Sequence, residues 1–239
     1  MKILIIIGIV GFIAFSVWYA KRNGDTAKYQ SEPKNILTEK ENPIDFGYKI
    51  VWIAIKTNNK SKLSKILGLK NPKPANWKSG IENAYESRIY ITPQIGEWTL
   101  AVGMGLPLGD SIESIEKLEL LLNKFSSEFG EAHFFGTHRV VEYHNWMKSV
   151  NGKMERIYSY VGESGENIKV FGQLTDSEKG LKLFNSLSEE AKSDDYWERE
   201  DLDFADEELV MEIAENLSIN PTKLTERTDI KNELGIIGK

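Results

Sequence analysis

The chain has 239 residues, a formal charge of −6, 41% hydrophobic and 10% aromatic residues, and no cysteine. That content supports the core of one ordinary domain and excludes wholesale disorder. Net acidity argues against a nucleic-acid binder, and the missing thiol excludes disulfides, thiol catalysis, Cys-based metal sites and lipoprotein anchoring.

Residues 3–20 (ILIIIGIVGFIAFSVWYA) carry no charge. As a helix they would reach about 27 Å, close to the hydrocarbon thickness of a bilayer. Trp18 and Tyr19 suit the membrane interface, and Lys21 and Arg22 follow at once. The expectation is a transmembrane anchor over residues 1–22 that meets lipid through residues 3–20. The alternative is a cleaved signal peptide with Ala14-Phe15-Ser16 as a small-x-small site. Lys21, Arg22, Lys28 and Lys34 outweigh Lys2, which favours a cytoplasmic C-terminal domain, although exported proteins also begin with a short N-terminus before an apolar run. Residues 23–44 are polar and contain Pro33 and Pro43, so they read as a flexible linker.

The expected folded domain covers residues 45–224. Residues 48–57 form a strong apolar strand, residues 61–67 a short helix stopped by Gly68, and residues 71–80 a loop rich in Pro, Asn and Gly. Residues 88–93 and 97–103 read as a hairpin. Asp110 and Glu113 look like a capping box before a helix with Ile112, Ile115, Leu118, Leu121, Leu122, Phe125 and Phe129 on its apolar positions, ended by Gly130. A strand over 132–135 completes a β-α-β-β-α-β order. This is the ferredoxin-like order of a mainly antiparallel α+β fold.

Asn151-Gly152 is a preferred type I′ turn, so a β-hairpin extends that sheet. With Val150 opposite Lys153, the plain register sets Lys148 against Glu155, Trp146 against Ile157 and His144 against Ser159. A further strand follows over 167–174, then a helix over 175–184 capped by Thr175. Residues 186–215 hold 13 carboxylates against Lys192 and Arg199. Within them, residues 207–217 form a helix whose Leu209, Val210, Ile213, Ala214 and Leu217 share a face. Acidic C-terminal helices and a frayed tail over 225–239 close the expectation.

Every histidine lies between positions 133 and 144. On one continuous strand, His138, Val140, Glu142, His144 and Trp146 would share a face, and two imidazoles with a carboxylate could run acid–base or metal chemistry. Along a straight strand, however, His138 and His144 stand about 20 Å apart, too far for one ion. Ordinary polar roles are the simpler reading, and neither a metal nor a cofactor is expected. Gly103-Met104-Gly105 does not complete a dinucleotide or phosphate-loop motif. Trp77 sits in the predicted loop, and Tyr196 and Trp197 lie among Asp194, Asp195 and Glu198. The simpler reading makes Trp77 a core lid and packs Tyr196 and Trp197 on the domain; the alternative makes these six the candidate partner-binding residues, with Tyr196 and Trp197 as an aromatic anchor ringed by charge.

The stretches VWIAIKT, LGLKNPKPANWKSGI, IYITPQIGEWTLAVG, FGTHRVVEYHNW, YSYVGESGE and ELVMEIAENLSINPTKL together resemble a family of uncharacterised bacterial proteins over residues 50–224. The resemblance implies a bacterial source and carries no activity and no catalytic residues. The functional expectation is a single-pass protein of the bacterial inner membrane, with a non-enzymatic domain that binds a basic protein partner and acts as a toxin-neutralising (immunity-type) or regulatory module. The alternatives are an enzyme using His138, Glu142 or His144, and a structural envelope component.

Overall fold

The structure is a computed structural model that describes residues 35–239. The expected anchor, with its lipid contact, and linker residues 23–34 lie outside the described residues. Among the described residues, no helix is long and apolar enough to cross a membrane.

A nine-stranded, wholly antiparallel sheet organises the molecule. In chain order its elements are β1 (Ile50–Ile55), α1 (Lys60–Leu67), β2 (Lys73–Ala75), α2 (Trp77–Ala84), β3 (Ile89–Ile91), β4 (Thr99–Val102) and α3 (Ile112–Phe129). Then come β5 (Glu131–His138), β6 (Tyr143–Val150), β7 (Lys153–Val161), β8 (Glu166–Phe171), α4 (Asp194–Trp197), α5 (Glu207–Leu217) and β9 (Gly235–Gly238). The spatial order is β2-β9-β3-β4-β1-β5-β6-β7-β8.

Strand β1 is buried on both faces, which explains its unbroken apolar run. Val51, Ile53 and Ile55 pack beneath α1 and α3, with Leu63, Ile115, Leu118, Leu122 and Phe125. Trp52 and Ala54 face the opposite layer, where α2 and α5 contribute Trp77, Ile81, Val210 and Ile213. Trp52 stacks on Phe135 with ring centroids 5.3 Å apart. Helix α1 is capped by Asn59 and stopped by left-handed Gly68, while α3 is capped by Ser111 rather than Asp110.

Five further expectations change. The predicted loop over 71–80 holds β2 and the start of α2, whose cap is Asn76: its side chain accepts the Ser79 amide at 3.0 Å. Pro, Asn and Gly mask this helix locally, and Gly80 is there for space, since a Cβ would meet the Tyr90 ring at 2.4 Å. The hairpin turns at Asn151-Gly152 as predicted, but a bulge beside Lys148/Ser149 moves the register by one. Trp146 therefore faces Tyr158 rather than Ile157, and His144 faces Tyr160 rather than Ser159.

The predicted helix over 175–184 is one 3-10 turn, Asp176–Glu178, and Gly180 leaves it in the left-handed region. The tail expected to fray supplies β9, inserted between β2 and β3. Residues 35–46, assigned mainly to the linker, lie along the domain: the Asn76 amide donates to the Leu37 carbonyl at 2.8 Å and the Phe46 amide to the Pro221 carbonyl at 3.0 Å. The last two changes depend on partners distant in sequence, which local pattern does not contain.

Candidate functional site

The expected single histidine strand does not form. The chain reverses at residues 139–142, between β5 and β6, with Glu142 at φ 48°. A β-branched run, Val140-Val141, hides this turn in the sequence. His138 pairs with Tyr143 and Thr137 with His144, so the two histidines point to opposite faces.

His133 is fully buried beside Trp98, with Nε2 2.9 Å from a Glu131 oxygen. Burial pushes its pKa down, and Glu131 opposes that shift. His138 lines a small cavity of about 90 Å³ with Asp110 and Tyr143. Its Nδ1 is buried without a hydrogen bond among the described residues.

His144 is different. It is 3% exposed, and its Nδ1 lies 3.1 Å from Thr137 Oγ1. It borders an open cavity of about 570 Å³ with Arg139, Glu142, Tyr160, Phe204 and the first turn of α5. Asp206 caps that helix by accepting the Leu209 amide at 2.8 Å. Burial pushes the imidazole pKa down to about 4, and Asp206 pulls it partly back. The ring is therefore neutral near pH 7. The structure thus brings Glu142 and His144 to one cavity and leaves His138 outside it. Among the described residues, no group of three or more His, Asp or Glu is arranged to hold a metal ion.

Trp77 is 2% exposed and packs edge-on against Tyr90, so it is a core residue, as the simpler reading had it, and offers no surface to a partner. Its place as the first residue of α2, rather than in a loop, accounts for the burial. Tyr196 is also buried, with its hydroxyl accepting the Asn185 amide at 2.7 Å. It anchors α4 from below rather than meeting solvent. Trp197 is 54% exposed, with its indole N–H donating to the Ala191 carbonyl at 3.0 Å. Asp194, Asp195 and Glu198 are exposed around it.

Sequence reasoning passed over Phe204 and Leu187, which are 51% and 58% exposed. Phe204 stacks on Phe184 at 4.8 Å, and Trp197 packs edge-on against the same ring at 5.7 Å. The usable signal was the isolated aromatic in LDFADEE, an apolar residue amid charge. Part of the surrounding acidity is neutralised locally. Arg199 pairs with Asp201 and Glu190, Lys182 with Asp201, and Lys223 with Glu215.

The acidic segment is tied to the sheet by a buried ion pair also absent from the sequence reading. Glu178 meets Arg156 with a shortest separation of 2.7 Å, both side chains almost wholly buried. The bulge after Lys148 puts Arg156 on the face where Glu178 waits. Glu178 also accepts the Trp146 indole N–H at 3.1 Å and the Thr175 amide and hydroxyl at 2.9 and 2.7 Å.

No family model, no curated protein and no solved structure matches the chain. The resemblance over residues 50–224 accordingly rests on its motifs alone.

Proposed function

We propose that this chain is a membrane-tethered, non-enzymatic domain that binds a basic protein partner, with a toxin-neutralising or regulatory role. One observation carries the reading: Trp197 and Phe204 stand half out of the surface on a shared Phe184 base, beside exposed Asp194, Asp195 and Glu198. Large aromatics held rigidly and ringed by charge supply binding energy at the centre and steering at the rim. The tether is proposed from residues 3–20 and places the domain at the bacterial inner membrane. The sheet is proposed as a ferredoxin-like β-α-β-β-α-β core carrying extra strands on both edges.

The test is capture of a basic protein from the native host at about 50 mM salt, released near 500 mM as screening shortens. Trp197→Ala should weaken that capture by about 2 kcal/mol or more, the size of an aromatic hot spot. Failure to retain any basic protein at either salt would sink the reading. Fractionation tests the tether separately: full-length protein should pellet with membranes.

A second reading, an acid–base enzyme at His144 and Glu142, draws on their shared cavity. A pKa of about 4 makes His144 a weak base at neutral pH, so the binding reading ranks first.

A further inference from the structure

Residues 46–81 hold eight lysines and no aspartate or glutamate, in a chain whose formal charge is −6. The fold gathers part of that charge at one corner of the domain. An open cavity of about 570 Å³ lies between α1, β2 and β9, lined by Lys60, Lys65, Lys73, Pro72, Pro74 and Ile236 and, among the described residues, by no carboxylate. Lys56, Lys60 and Lys62 have partners in Glu97, Glu233 and Glu128. Lys65, Lys70 and Lys73 are exposed and form no ion pair among the described residues.

Where the domain is held gives a second, independent observation. The Asn76 amide donates to the Leu37 carbonyl at 2.8 Å, the Leu37 amide to Ser79 Oγ at 3.1 Å, and Asn76 Nδ2 to the Glu39 carbonyl at 2.9 Å. Asn76 directly follows Ala75, the last residue of β2. The chain that follows the proposed anchor is therefore fixed to the domain beside the lysine-lined cavity. The acidic surface lies elsewhere. Helix α1 packs on one face of the sheet, whereas Phe184, the base of Trp197 and Phe204, belongs to the layer on the other. In strand order, β2 stands at one edge, and β7, whose Tyr160 meets Phe184, stands next to the opposite edge.

We propose that the corner formed by α1 and β2 rests on anionic lipid headgroups and turns the acidic Trp197–Phe204 surface away from the bilayer. This rests on the membrane-tether reading above, which supplies the surface. Residues 46–81 contain no arginine, so they lack the planar fork that grips a single phosphate or carboxylate. Ammonium groups on flexible stems act as point charges and suit an extended layer of phosphates. Each lysine close to such a surface is worth about fivefold, so Lys65, Lys70 and Lys73 together shift the balance of docked and free domain by about a hundredfold.

The chain has no cysteine, so a single introduced thiol can be labelled alone. Full-length protein carrying a fluorophore at Ser61→Cys, an exposed position on the cavity, is reconstituted in two kinds of vesicle. One is phosphatidylcholine, the other phosphatidylcholine with about one quarter phosphatidylglycerol as the anionic lipid. Both carry a headgroup-linked quencher. Quenching should be stronger in the anionic vesicles, and the excess should vanish at about 500 mM salt. It should vanish too in the triple variant Lys65→Gln, Lys70→Gln, Lys73→Gln. A fluorophore at Glu198→Cys, on the acidic surface, should stay unquenched in both. Equal quenching at Ser61→Cys in the two lipids overturns the proposal, as does an excess that survives the triple variant or equal quenching at Glu198→Cys. Flotation of the same samples separates this from the tether. Protein that floats with both vesicles without excess quenching removes the docking and leaves the tether standing. Protein that floats only with anionic vesicles, with the excess quenching, removes the tether and leaves the basic corner. Protein that floats with neither removes both.

Discussion

Replacing Glu178 by Gln changes one oxygen to nitrogen in a densely bonded buried site. The carboxylate accepts from Arg156, Trp146 and Thr175, using both oxygens. Whichever way the new amide turns, its NH2 faces an existing donor, and the Arg156 guanidinium stays buried without a counter-charge. Breaking a buried pair in this way costs about 3–5 kcal/mol. For a domain of this size, each kcal/mol lowers the melting temperature by about 2–4 °C, so the expected drop is about 6–20 °C. Thermal unfolding followed by far-ultraviolet circular dichroism at pH 7 measures it. The double variant Arg156→Met with Glu178→Leu should recover part of the loss, because it removes both charges together. A single variant within about 1 kcal/mol of the parent, or a double variant worse than either single, would refute the argument.

The histidines predict a pH dependence of definite sign. Folding holds His144 at about 4, below its ordinary 6.5, so the unfolded chain takes up a proton that the folded one refuses. Stability should be full above pH 6.5 and fall as pH drops from there towards 4, and His133 adds in the same direction. Urea midpoints at several pH values should show this, with a shallower decline in His144→Gln; an unchanged decline would remove His144 as a cause. At the C-terminus, Gly235→Val should destabilise by about 1–3 kcal/mol through overpacking. The added Cβ would sit 2.4 Å from the Ile91 carbonyl oxygen and from the Tyr90 ring. A frayed tail would tolerate that change, and denaturant titration separates the two cases.

Much of the architecture could be read locally. Helix α5 follows from Leu209, Val210, Ile213 and Ala214 at helical spacing, and α1 from its apolar stripe and Gly68 stop. The Asn151-Gly152 turn needs φ 48° and 81°, which these two residue types accept most readily. What escaped is what depends on distant contacts. Strand β9 is short and closes the sheet only because β2 and β3 leave a slot for it. Trp77 looks like a loop residue until Asn76 caps a helix above Tyr90. At the candidate site, Glu142 and His144 were legible as neighbours. Their cavity was not, because its far wall comes from Phe204 and the start of α5, some sixty residues later in the sequence.

The hairpin register shows how much hangs on one such feature. Ser149 pairs with Met154 and Lys148 with Arg156, so Glu155 is the extra residue of the bulge. Without the bulge, the full chain would set Ile157 against Trp146, and Arg156, Tyr158 and Tyr160 would turn to the other face. The stack of Trp146 on Tyr158 at 4.4 Å, the Glu178 pair and the wall of the His144 cavity would all be lost. Deleting Glu155 should nevertheless be tolerated, because removing the surplus residue keeps every other pair in place. It forfeits the exposed contact to Lys148 at 3.4 Å and some local twist, an expected cost of about 0.5–3 kcal/mol. Deleting Ile157, one step into the regular ladder, removes a fully buried side chain and throws its neighbours out of phase, so that variant should not fold. The difference in near-ultraviolet circular dichroism between parent and Trp146→Phe isolates the Trp146 contribution, including its stack on Tyr158. If the Glu155 deletion loses that signal while the domain stays folded, the bulge is doing something other than setting which residues face α5.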